Sequence, residues 1–346
     1  MIPLSNIWID LINPSHALFF RSLIPELNGH QISVTLRDRA ETVDLTKQFG
    51  IQGRVIGTDY RDPLKKSLNM VYRTFELYAG AGKFDYAMAF ENGMSTLVSN
   101  VKRKESILFC DNDLKFIQKT SRIQDLEMKL KLLADHIIIP KACYPLFSQN
   151  CKHSEVISFD GYKEDIYLAD FKPDPNFMDK IPFDNYVVLR PEALGSFYVT
   201  EKQSIVPYLL HLFWREGINV VYLPREKEDL QYAQGFDEVF IPERPLNGLD
   251  LCYHADAVLT GSGTMAREAA CMGKKAVSFF PSVVMLSVDK QLMNEGKIFH
   301  SRSPTDIVDY ILSNSSRAQT HGMNQSKKVK RIVCTAVNGI LSEYEQ

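Results

Sequence analysis

The chain has 346 residues, more than one domain usually holds, so two domains of roughly 150 to 180 residues are expected. Hydrophobic residues at 45% and charged residues at 24% exclude a disordered, collagen-like or coiled-coil chain. The net charge of -2, from 40 basic against 42 acidic side chains, gives no reason to expect nucleic acid as a partner.

Short apolar, β-branched runs at 7–11, 32–36, 55–56, 86–90, 106–109 and 136–139 alternate with helical-period segments at 17–27, 42–49, 64–78, 94–101 and 126–134. That alternation predicts βαβ units on a parallel sheet. Asn28-Gly29 reads as the C-cap of the first helix. Pro173 and Pro175 then interrupt the polar stretch 170–176, and the domain boundary is expected there. The same grammar restarts, with strands at 186–189, 219–223, 239–241, 257–260 and 276–280 and helices at 204–215, 226–234, 249–254, 264–272 and 289–295. A last helix, 325–344, follows the polar stretch 313–320 and is expected to cross back to the first domain. The resulting division is 1–172, 178–322 and 323–346.

The six cysteines, at 110, 143, 151, 252, 271 and 334, form no CxxC pair, so reduced thiols and a cytoplasmic location are expected. The N-terminal stretch meets Asp10 and His16 without a basic leader, and no run reaches the roughly 20 apolar residues of a spanning helix.

The stretch from Ala255 to Gly273 is the most informative, because an apolar strand ends in Thr260-Gly261-Ser262-Gly263-Thr264 and opens a helix. Free backbone N–H groups at Ser262 to Met265 and the positive end of the helix dipole would there bind an anion. A glycine-permitted turn with a Ser or Thr N-cap is the plainer alternative. Glu268, one turn into the helix, could accept ribose hydroxyls, or could simply offset the dipole.

This stretch, with 274–280 as the following strand, resembles the nucleotide-sugar site of the glycosyltransferase-B superfamily. The chain is especially similar to the non-hydrolysing UDP-N-acetylglucosamine 2-epimerases and to an uncharacterised group of archaeal and bacterial glycosyltransferases. The latter likeness spans nearly the whole chain, through Ile9-Asp10-Leu11-Ile12-Asn13-Pro14-Ser15-His16, Thr35-Leu36-Arg37-Asp38-Arg39, Leu189-Arg190-Pro191-Glu192 and Leu223-Pro224-Arg225. The resemblance implies an α/β protein of two Rossmann-like domains facing across a cleft. Ser262, Gly263 and Thr264 would contact the diphosphate and Glu268 the ribose, with a nucleotide-sugar, UDP-linked for preference, as substrate rather than cofactor.

Departures from the epimerases are specific. Leu189 stands where their second-domain motif has a histidine, although Arg190 and Glu192 remain. Their first-domain acids are met here by Phe90-Glu91-Asn92-Gly93 and Cys110-Asp111-Asn112-Asp113. Transfer of the sugar to an acceptor, lipid-linked or glycan, is therefore preferred to epimerisation, with a non-catalytic nucleotide-sugar binder as the reading from another class.

His16, after the first strand, is the candidate base, because an imidazole titrating near neutrality can deprotonate an acceptor hydroxyl. A helix-start histidine satisfied by the backbone is the equal alternative. Asp111 and Glu91 are the other candidate acids. Asp111 and Asp113 form Asp-x-Asp, a weak metal signal without further ligands, and a solvated or capping turn is favoured. Arg190 and Arg225, each at the end of a second-domain strand, could hold a leaving diphosphate without a metal. The basic runs 102–104 and 327–331 read as solvated helix faces, with weak contact to anionic lipid as the sharper alternative. A homo-oligomer is compatible with all of this.

Overall fold

Seven short strands make the first sheet: β1 Asn6–Leu11, β2 Gln31–Asp38, β3 Arg54–Thr58, β4 Tyr86–Phe90, β5 Glu105–Phe109, β6 His136–Pro140 and β7 Glu155–Phe159. The structure, a computed structural model, describes residues 5–39, 41–58, 63–118, 122–195, 199, 201–313 and 322–343. Every pairing in the sheet is parallel, in the order β3-β2-β1-β4-β5-β6-β7. The central strands read as continuous apolar runs because helices cover both faces; Ile7, Trp8, Ile9 and Leu11 of β1 have no exposed surface. β7 escaped the sequence reading because it is an edge strand in which only Phe159 is buried.

The second sheet holds β8 Val187–Arg190, β9 Val220–Tyr222, β10 Val239–Phe240, β11 Ala257–Thr260, β12 Lys275–Ser278 and β13 Ile298–His300, again all parallel, in the order β10-β9-β8-β11-β12-β13. Its core packs Leu189, Tyr222, Leu259 and Val277 against Leu209, Leu210 and Phe213 of the helix Val206–Arg215. The three-residue β13 was too short to show a pattern.

Several local readings change, and the helices Tyr144–Asn150 and Lys163–Leu168 were not expected. The first helix runs Pro14–Leu23, with a 3-10 turn at Ile24–Glu26, rather than on to a cap at Asn28-Gly29. Pro25 lacks the N–H that a further α-helical turn needs. The segment expected as a helix at 226–234 is a 3-10 helix, Lys227–Ala233, opened by a capping box between Glu226 and Asp229. The helix Pro304–Leu312, unforeseen, starts on Ser303, whose hydroxyl accepts from the Asp306 N–H. The last helix is Met323–Glu343; Tyr344 and residues 314–320 lie outside the described residues.

The chain clusters into two compact units, residues 1–167 with 328–346, and residues 168–327. None of the six cysteines is in a disulfide. No helix among the described residues is long and apolar enough to cross a membrane.

In each sheet the strand order reverses once, between β1 and β4 and between β8 and β11. Loops leaving the carboxyl ends of such strand pairs diverge to opposite faces and leave a crevice, the usual ligand site of an open α/β sheet.

Candidate functional site

At the reversal of the second sheet, β11 ends at Thr260, the register partner of Arg190 at the end of β8. The turn that follows opens the helix Gly263–Cys271 with Ser262 as N-cap, and the Ser262 side chain makes no capping hydrogen bond. The donors are fewer than the sequence suggested. The Ser262 N–H is taken by Thr260 Oγ1 at 3.0 Å, and the Gly261 N–H by the Arg190 carbonyl at 3.1 Å. The N–H groups of Gly263, Thr264 and Met265 remain in the first helical turn, where no intrahelical acceptor exists.

Charged side chains of both signs surround this turn. Arg190 keeps its Nε buried without a hydrogen-bond partner. Arg267, which the sequence reading passed over, is buried beneath the turn, donating to Asp289 at 2.8 Å and to Thr264 Oγ1 at 3.4 Å. Glu268 lies one helical turn beyond Thr264 and is buried. Glu268 and Arg190 both act on the nearby Cys252 thiol, whose pKa is raised well above the usual range chiefly by burial, with Glu268 adding to the shift and Arg190 opposing it. Arg225 is held to the exit of β8, with Nε donating to the Pro191 carbonyl at 2.8 Å and its backbone N–H to Asp229 at 2.9 Å. Glu192 is fully engaged by Ser204 at 2.7 Å, the Ile205 N–H at 3.2 Å and Arg302 at 3.0 Å. Beside the exits of β12 and β13 lies a hollow of about 300 Å³, lined in part by Phe280, Ser282, His300 and Arg302.

At the reversal of the first sheet, the structure brings His16, Glu91 and Asp111 into one polar cluster and adds two lysines that sequence spacing could not show. His16 sits on the first turn of Pro14–Leu23, its ring 5.2 Å from that of Phe90 and its Nε2 3.3 Å from the Asn13 amide nitrogen. Taking that amide as the donor puts the ring proton on Nδ1, which is buried with no partner. The expected neutral-range titration is corrected here: burial first, then the Lys163 charge, holds the imidazole pKa down to about 3. The group is a neutral hydrogen-bonding imidazole at any physiological pH.

Glu91 has a left-handed backbone, φ 51°, which is strained for a residue with a Cβ. The strain is held by its carboxylate, which accepts the Asp111 and Asn112 N–H groups at 2.9 Å each and is paired with Lys131. It clamps the β4 exit to the β5 exit. Asp111 is paired with Lys163 at 2.6 Å, and the Lys163 ammonium lies 5.4 Å over the Phe90 ring. The Asp111–Asp113 turn is buried rather than solvated, and the helix start after it is capped by Asn112, whose Oδ1 accepts the Leu114 N–H at 3.2 Å. Among the described residues no group of three His, Cys, Asp or Glu could hold a metal ion.

Below this cluster, Asp10 and Arg73 are both buried, at 0% and 1% exposure, and form a two-pronged pair at 2.8 and 3.0 Å. Thr35 and Asn92 each donate to Asp10 at 2.6 Å, so one carboxylate ties β1, β2 and the helix after β4 to Pro63–Gly80. No sequence signal paired these two residues.

A family model described as a protein of unknown function (DUF354) matches residues 5–342. The chain belongs to the DUF354 family. An uncharacterized protein of Methanocaldococcus jannaschii is 26% identical over 330 residues, 89% of this chain and 91% of its own length. The UDP-GlcNAc 2-epimerase of Neisseria meningitidis, solved bound to UDP-GlcNAc, is 13% identical with a TM-score of 0.69 over 96% of this chain and 100% of that one. The glycotransferase of kitacinnamycin is 12% identical with a TM-score of 0.63 over 100% of both chains. At such identities the likeness shows the fold. This DUF354 chain has the two Rossmann-like α/β domains of the glycosyltransferase-B type.

Proposed function

We propose that this DUF354 chain is a glycosyltransferase that takes a nucleotide-activated sugar, with a UDP-sugar as the first choice of donor. One observation carries the reading: at the reversal of the second sheet, a helix start without a side-chain cap follows the strand end paired with Arg190, whose Nε is buried and partnerless. A diphosphate supplies the acceptors these donors lack. Gly263, Thr264 and Met265 N–H groups, with Ser262 beside them, take the phosphates. Glu268 accepts the ribose hydroxyls, and the hollow beside β12 receives the base. The solved epimerase of the same fold holds UDP-GlcNAc, which supports the choice of donor.

The first unit takes the acceptor, a lipid-linked or glycan hydroxyl. The acceptor oxygen bonds to the anomeric carbon as the bond from that carbon to the diphosphate oxygen breaks. Asp111 takes the acceptor proton, the neutral His16 orients the hydroxyl through Nδ1, and Lys163 holds Asp111 in place. Arg190, with Arg225 and Arg267 near it, steadies the departing diphosphate, so no metal or other cofactor has a part. Epimerisation would need free acids on both faces of C2, whereas Glu91 spends its carboxylate on three donors and Leu189 replaces a histidine.

The test is incubation with labelled UDP-sugars and a lipid or glycan acceptor extract. Free UDP together with labelled acceptor is the expected result, undiminished by EDTA. Sugar inverted at C2 would make the chain an epimerase, and nucleotide-sugar binding without either product would make it a non-catalytic binder. Loss of turnover in EDTA, restored by magnesium, would overturn the metal-free mechanism.

A further inference from the structure

Over residues 69–80, the helix Pro63–Gly80 buries one side and exposes the other. Arg73 and Leu77 face inward, while Val71, Tyr72, Phe75 and Tyr78 are 56%, 63%, 70% and 48% exposed. At about 100° per residue these four fall within one third of the helix circumference, directly opposite Arg73 and Leu77. Three large aromatic residues in a single exposed stripe are far more than scattered surface apolar groups account for.

The stripe continues into a basic rim. The Lys102 ammonium lies 5.0 Å over the Tyr78 ring and 5.3 Å over that of Phe84, which joins the sequence run Lys102-Arg103-Lys104 to the aromatic face. Val101 beside it is 59% exposed, and Lys83, Arg103 and Lys104 are exposed as well. Against these four basic residues the rim carries Asp85, which pairs with Lys104 at 3.2 Å. The rim is therefore net positive. A symmetric second copy would set that charge against itself, whereas an anionic surface complements it.

We propose that this face docks on an anionic lipid bilayer, with Tyr72, Phe75 and Tyr78 at headgroup depth and the basic rim over the lipid phosphates. The proposal concerns the first unit alone and stands whatever reaction the chain performs.

Co-sedimentation of the full chain with vesicles tests it, using phosphatidylcholine alone and phosphatidylcholine doped with phosphatidylglycerol. The chain should sediment with the doped vesicles and hardly with the neutral ones, and added salt should release it. Lys102→Gln and Arg103→Gln should each weaken the partition by about 5-fold. The double change Tyr72→Ser and Phe75→Ser should weaken it by about 10-fold or more, with circular dichroism and melting temperature unaltered because those side chains are solvated. No sedimentation with doped vesicles, or sedimentation equal for both vesicle types or for wild type and variants, would overturn the proposal. So would a dimer in light scattering that Phe75→Ser splits while vesicles stay unbound, because the face would then belong to a second copy.

Discussion

His16 shows how burial changes what a residue can do. In the unfolded chain its pKa is 6.5, and in the folded chain about 3. Between those values the unfolded chain binds a proton that the native chain does not, so stability is complete at neutral pH and falls as pH drops through that window. Wild type should therefore lose up to about 2 kcal/mol more than His16→Gln between pH 7 and pH 5 in urea titrations. The same neutrality means that the kcat/KM profile should show no limb near pH 6.5; a limb there that His16→Gln abolishes would restore the imidazole as the base. Asp10 and Arg73 are a second buried charge problem. Asp10→Asn strands the Arg73 guanidinium and should cost about 3 to 5 kcal/mol, with part recovered by adding Arg73→Met. An unchanged urea midpoint for the single variant would count against that account. Glu268→Ala should weaken UDP binding by about 1 to 3 kcal/mol in titration calorimetry, the scale of a lost charged hydrogen bond, and equal affinities would remove Glu268 from the nucleotide site.

Elements explain why these residues meet. The turn after β11 was legible because a strand, small residues and a helix start are all local signals, and the reversal of strand order then sets it beside Arg190. His16, Glu91 and Asp111 were legible for the same reason, each following an apolar strand. Lys131, Lys163 and the Asp10–Arg73 pair were not, because their partners are chosen by tertiary packing; Arg73 lies 63 residues from Asp10. The edge strand β7 was missed since little of it is buried, and β13 because three residues show no pattern. A sharp test of the turn lies in its two glycines. A Cβ on Gly261 would fall 2.5 Å from the Glu192 Cα, a backbone atom of the β8 exit that cannot move aside. A Cβ on Gly263 would meet the tip of the Arg267 side chain at 2.6 Å, which can shift. Gly261→Ala should therefore cost about 2 kcal/mol or more and abolish UDP binding, while Gly263→Ala costs less than about 1 kcal/mol. Equal effects of the two changes on melting temperature would mean that the approach of the two loops does not govern the turn.

At the scale of the whole molecule, each unit has its own sheet and its own core, and the first is completed by the far end of the chain. On the last helix Val329, Val333, Val337 and Leu341 are buried, Tyr86 donates to the Leu341 carbonyl at 3.3 Å, and Lys330 pairs with Glu26 at 2.8 Å. These contacts all belong to the first unit, whereas the turn after β11 belongs to the second. Units with separate cores unfold separately by default, so calorimetry should show two transitions that respond to different perturbations. UDP at about 100 times its Kd should stabilise the second unit by about 2.7 kcal/mol and leave the other transition in place. Val337→Ala, a truncation in the first core, should lower only the transition that UDP leaves alone, by roughly 2 kcal/mol. A single transition moved by both UDP and Val337→Ala would show that the two sheets fold as one cooperative body, and the assignment of the terminal helix to one of them would then lose its thermodynamic meaning.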